Sequence, residues 1–103
     1  MKNEIKRLYL FENSNNLNKI GISKNPIRRR RQIELASGTK VNIMKAWETL
    51  DAPAREVEQY LHARFSRKRL QGEWFSKITV AEIEYAGYDL CECNHDGTQR
   101  RHE

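Results

Sequence analysis

A chain of 103 residues corresponds to one domain, large enough to bury a modest core without disulfide or metal staples. Apolar residues at 38% against 32% charged, with a mean hydropathy of −0.89, fit a water-exposed globular domain, and no apolar run approaches membrane-spanning length. Nineteen Lys and Arg against 14 Asp and Glu leave a net charge of +5, which favours a polyanionic partner, nucleic acid ahead of an acidic lipid surface.

The N-terminal Met1 to Lys6 is polar and lacks the apolar stretch of a signal peptide, which predicts a cytoplasmic protein. Leu8 to Glu12 is a compact aliphatic and aromatic run and reads as a strand. Asn13 to Asn16 is dense turn chemistry, because asparagine tolerates left-handed backbone and bonds locally. Leu17 to Ile22 then forms the second strand of a hairpin. Leu17, Lys19 and Gly21 share one face, and Asn18, Ile20 and Ile22 the other.

Asn25 followed by Pro26 predicts a helix start, running to Ala36 and ending at Ser37-Gly38. Val41 to Leu50, with Trp47, reads as a third strand. A second helix begins around Pro53 and carries a buried stripe of Ala54, Val57, Leu61 and Phe65. It ends in the basic stretch Arg67 to Arg69. Gly72 to Phe75 is a short extended segment whose Trp74 and Phe75 close the core, and Trp47 is a core residue too. Val80 to Ala86 predicts a short third helix with Ile83 inward. The fold class is α/β in the broad sense (α+β), with the domain spanning 1–87 and a polar tail spanning 88–103. Cys91, Cys93, His95 and His102 fall in that tail with a spacing that matches no zinc module, and no disulfide framework exists.

Several residue types suited to phosphodiester chemistry stand in order along the chain. They are Tyr9 and Lys19 on the hairpin, Arg28, Arg29, Arg30 and Arg31 on the first helix, and Glu58 and His62 four apart on the second. A base can deprotonate water, a cation can stabilise a crowded phosphate, and a carboxylate can hold a hard divalent ion. Each also has a plainer reading. Tyr9 would be a core aromatic, Lys19 a solubilising residue, Glu58 a surface partner of Arg55, and His62 an edge residue without a task. Successive helical residues turn by about 100°, so the four arginines cannot all face one ligand.

The order of motifs resembles the GIY-YIG nuclease superfamily over about residues 7 to 76. Tyr9 stands in the place of the first motif tyrosine, with Arg7 and Leu8 where the family has Gly and Ile. Lys19-Ile20-Gly21 corresponds to the second motif, with lysine for tyrosine. Arg29 follows Gly21 by eight residues, and Glu58 to Phe65 looks like the carboxylate helix. The strings Lys19 to Ser23 and Gly72 to Phe75 mark a phage and fungal branch. Ile33 stands where many members have histidine, Arg30 where this branch has an aliphatic residue, and the late asparagine of some members has no match.

The resemblance implies a three-stranded antiparallel sheet flanked by helices. It also implies a metal-dependent endonuclease or nicking enzyme of phage or mobile-element type, acting on nucleic acid, DNA ahead of RNA. Tyr9 would activate water, with Lys19 in place of the second tyrosine, and Arg29 would contact the scissile phosphate. Glu58 would ligate one Mg²⁺ (or Mn²⁺), and His62 would complete the catalytic set. Arg28, Arg30 and Arg31 would supply further phosphate contacts. A free tyrosine ionises near pH ~10, so a neighbouring cation is needed to favour the phenolate. The alternatives are a non-catalytic nucleic-acid-binding module of the same fold and, third, a protein-interaction subunit.

Overall fold

The computed structural model describes residues 5–70 and 72–93. The chain begins with β1 (Arg7–Asn13), β2 (Asn18–Ser23), α1 (Pro26–Ser37) and β3 (Val41–Thr49). It continues with α2 (Ala54–Arg64), a 3₁₀ turn (Ser66–Lys68), α3 (Val80–Glu84) and β4 (Leu90–Cys93). The strands form one antiparallel sheet in the order β2-β1-β3-β4, so the class is α+β as expected.

Local chemistry sets most element boundaries. Asn13 Oδ1 accepts from the amides of Asn15 and Leu17, at 2.9 and 3.0 Å, and Asn16 takes the left-handed conformation (φ 62°) that closes the hairpin. Asn25 Oδ1 accepts from the Arg28 amide at 3.1 Å to cap α1, and Pro26 opens the helix. Gly38, at φ 70°, ends it and donates its amide to Glu34 O at 2.8 Å. Thr79 and Glu82 form a reciprocal capping box on α3.

The period-two alternation of β1 divides the core. Leu8 and Leu10 face α2 and α3 and pack with Ile20, Trp47, Val57, Leu61, Phe65, Phe75 and Ile83. Tyr9 and Phe11 face the other way and pack with Val41, Ala46 and Cys93, and with the partly buried Ile33, Ile43 and Trp74. The α2 stripe lands where its spacing predicts. By contrast α1 buries only Pro26 fully, and polar contacts tie it down. Glu34 Oε2 accepts from the Val41 amide at 2.7 Å, and Arg30 bonds both Val41 O at 3.2 Å and Glu34 at 3.0 Å.

Two expectations are corrected. The sheet has four strands, and the fourth comes from the stretch read as a polar tail from residue 88. Four residues are too few to show a period. The unpaired edge of β3 nevertheless offers a full row of backbone donors and acceptors. β4 takes it with the register Ala46↔Cys93, Trp47↔Glu92, Glu48↔Cys91 and Thr49↔Leu90. Cys93 is then buried against the Tyr9 side of the core, where a thiol packs as a small apolar group. Neither Cys91 nor Cys93 is in a disulfide. Residues 94–103, with His95 and His102, lie outside the described residues.

The segment Gly72 to Phe75 is stapled to the β2 edge. Asn18 and Phe75 exchange backbone hydrogen bonds at 2.9 and 2.7 Å. The buried Asn18 side chain donates to Phe11 O and accepts from the Ile78 amide. The edge strand is thereby covered, and the site lies along it. Among the described residues no helix is long and apolar enough to cross a membrane.

Candidate active site

Tyr9 is 1% exposed, and its ring stacks on Phe11 with centroids 3.8 Å apart and planes 13° off parallel. Its pairing partner across the hairpin is Gly21. A Cβ placed on Gly21 would fall 2.3 Å from the Tyr9 hydroxyl oxygen and 2.5 Å from Cζ. The phenol therefore lies across space that only glycine leaves open, which is a packing requirement and not one of backbone conformation.

The short link from β2 to α1 brings Arg29, in the first turns of the helix, onto that hydroxyl. Arg29 comes near enough to the Tyr9 hydroxyl for its guanidinium donors and charge to favour the ionised oxygen. Burial pushes the Tyr9 pKa above the ordinary tyrosine value. The Arg29 hydrogen bond and charge pull it down but do not outweigh burial, and the carboxylates of Glu58 and Glu73 push it further up. Resting Tyr9 is thus a phenol, and the nearby cation acts in the direction of the phenolate without outweighing burial. Arg29 is the cation at its oxygen, while the Lys19 ammonium bonds Glu73.

Glu58 and His62 come from α2, on the opposite face of the sheet, and reach the site around the β2 edge. His62 Nε2 lies 2.8 Å from Ile20 O, an acceptor, so this nitrogen carries the proton and donates. The His62 ring also sits 5.4 Å from the ring of Phe75. Its visible task is to join α2 to the edge strand. Glu58, one turn earlier, is half-buried and near enough for its charge to act on Tyr9. Among the described residues it has no hydrogen bond or ion pair, and Arg55 does not neutralise it.

A half-buried carboxylate without a protein cation is a fitting donor for a hard divalent ion. Among the described residues no group of three or more His, Cys, Asp or Glu side chains gathers to hold a metal. An ion at Glu58 would therefore complete its shell from water and ligand phosphate, as Mg²⁺ commonly does.

Lys19 is almost buried, and its ammonium is ion-paired with Glu73, whose side chain is 61% exposed. Lys19 Nζ also lies 5.9 Å from the Trp74 ring centroid. The Lys19 hydrogen bond and charge hold the Glu73 pKa below the usual carboxylate range, against a smaller effect of burial and with help from His62 and Arg69. The structure adds two residues to the site: Glu73, which by sequence is a possible second carboxylate although its neighbours Trp74 and Phe75 point to core closure, and Arg69, which by sequence is only part of a basic stretch. Arg28 and Arg31 are exposed on α1, whereas the Arg30 guanidinium is engaged by Val41 O and Glu34.

Tyr9, Arg29 and the uncompensated carboxylate of Glu58 thus come near one another at one edge of a basic α+β domain. Residues 6–88 match the model of the T5orf172 domain. The chain belongs to that family, a phage-type domain associated with nucleases. No curated protein and no solved structure matches it.

Proposed function

We propose that the chain is a GIY-YIG-like endonuclease or nicking enzyme that hydrolyses phosphodiester bonds of DNA. It would depend on Mg²⁺ or Mn²⁺ and act in the cytoplasm of a phage- or mobile-element-bearing cell. One observation carries the reading: the Tyr9 hydroxyl lies over the bare Cα of Gly21, with the Arg29 guanidinium and the unpaired Glu58 both near enough for their charges to act on it.

With its own proton first lost to solvent, the Tyr9 phenolate oxygen takes the proton of an attacking water and returns to a phenol. Arg29 supports that phenolate before the transfer, because its donors and charge favour the ionised form. The same guanidinium has further donors for the scissile phosphate. Glu58 would hold the divalent ion, which when bound supplies charge neutralisation and Lewis acidity at the leaving oxygen. Lys19 contributes positive charge, His62 keeps α2 and its Glu58 against the edge strand, and Arg28 and Arg31 steer the backbone of the substrate.

The test is nicking of supercoiled plasmid in Mg²⁺, Mn²⁺ or EDTA by the wild-type protein and by Glu58→Gln. The variant should remain folded and bind DNA at least as well. It should lose metal-dependent nicking by about 100-fold or more, in line with the removal of one transition-state charge contact. Full nicking by Glu58→Gln would reject the metal-ligand role. A second reading, a non-catalytic nucleic-acid-binding module, draws on the protonated Tyr9 and the occupied Lys19. Salt-sensitive binding without nicking in any metal would favour it.

A further inference from the structure

Beside the Tyr9 centre, the loop Gly72 to Phe75 has basic side chains seated against it on several sides. Lys19 Nζ lies 5.9 Å from the Trp74 ring centroid. The Arg69 guanidinium carbon lies 6.0 Å from the Phe75 ring centroid, and Arg69 Nε donates to Gly72 O at 2.8 Å. The His62 ring also lies 5.4 Å from the Phe75 ring, centroid to centroid. The carboxylate of Glu73 sits in this surround, bonded to Lys19.

The two partners of that ion pair are unequal. The Lys19 side chain is 9% exposed and the Glu73 side chain 61%. An ammonium at that depth needs an anion, because leaving it unpaired in a low-dielectric setting is costly. An exposed carboxylate can leave for water at little cost. Any other oxyanion that reaches Lys19 would satisfy it equally well, and a phosphodiester oxygen has the same charge and acceptor character.

We propose that Lys19, flanked by Arg69 and His62, is a phosphate-binding subsite that Glu73 occupies at rest and that a nucleic-acid phosphate takes over. The nucleic-acid source rests on the function proposed above; the subsite itself rests on the Lys19–Glu73 geometry. Glu73 is then a competitor built into the fold.

Glu73→Gln tests this, with binding of a short labelled DNA duplex measured in EDTA across a salt titration. The variant should bind roughly tenfold more tightly at low salt, with a salt slope steeper by about 0.9, the value for one more neutralised phosphate. Adding Lys19→Met to Glu73→Gln should erase both gains. In parallel, the ¹⁵N-indole signal of Trp74 is followed during titration with inorganic pyrophosphate, and it should move at lower concentration in Glu73→Gln than in the wild type.

Should Glu73→Gln melt below the assay temperature, Glu73→Asp reads the same competition with the charge kept on a shorter arm, and it should lie above the wild type in affinity. Wild-type binding of the duplex with unchanged affinity and slope in the Glu73 variants would overturn the proposal. A pyrophosphate response strengthened by Glu73→Gln, without duplex binding by any form, would uphold the subsite and overturn its nucleic-acid source. Failure of both probes to distinguish the variants would overturn the subsite.

Discussion

Gly21→Ala adds one methyl group at the point where the fold leaves no room for it. The new Cβ would stand 2.3 Å from Tyr9 Oη, 2.5 Å from Cζ and 3.0 Å from Cε1, where ordinary contact begins near 3.4 Å. A ring on a surface would swing aside. Tyr9 is buried and stacked on Phe11. Relief must therefore come from tilting the ring off Phe11 or from parting β1 and β2. Overpacking of this kind costs about 1–3 kcal/mol, and each kcal/mol lowers the melting temperature of a domain of this size by about 4–8 °C. The chemical cost should be larger in proportion. A displacement of about 1 Å in a reacting group can cost on the order of 100-fold in rate. The assay pairs thermal unfolding with single-turnover nicking at saturating DNA. A Gly21→Ala protein that melts with the wild type and nicks at the wild-type rate would refute the claim that Tyr9 is positioned by the empty space over Gly21.

Two further outcomes follow from the geometry. Arg29→Ala should lose nicking by about 100-fold at saturating DNA, because it removes the support of the Tyr9 phenolate together with a phosphate contact; Arg31→Ala should chiefly weaken binding and lower the salt slope by about 0.9, as read by single-turnover nicking and a salt titration on the same preparations. Ending the chain at Tyr88 should lower the melting temperature clearly, because it removes the β4 pairing, the buried Cys93 and the bond from Leu50 N to Asp89 O, at 3.0 Å; an unchanged cooperative transition would show β4 to be dispensable.

Local chemistry was enough to read the hairpin, the α1 caps and the α2 stripe. Asn13, Asn25, Gly38 and the spacing of Val57 and Leu61 act on neighbours a turn or less away, so their effect is legible without the rest of the chain. The same holds for the facing of Tyr9 and Gly21, since strand period alone puts them on one side once the hairpin register is set. The resemblance to a nuclease family added an order of motifs, and the T5orf172 domain match over residues 6–88 agrees with a phage-type, nuclease-associated domain.

What the spacing could not carry was every relation between distant segments. Lys19 and Glu73 are 54 residues apart, and His62 and the Ile20 carbonyl 42 apart. Four residues of β4 have too little pattern to announce a strand, and only an open β3 edge makes one of them. The proton on Tyr9 is likewise a tertiary property. The residue type supplies a phenol, but burial, the proximity of Arg29 and the charges of Glu58 and Glu73 decide its state. Sequence determined which chemical groups this protein owns and which face of each element they occupy, because those follow from covalent order and local period. Only the packed structure decided which groups meet and which stay charged, because desolvation and Coulomb interactions depend on distance through space and not along the chain.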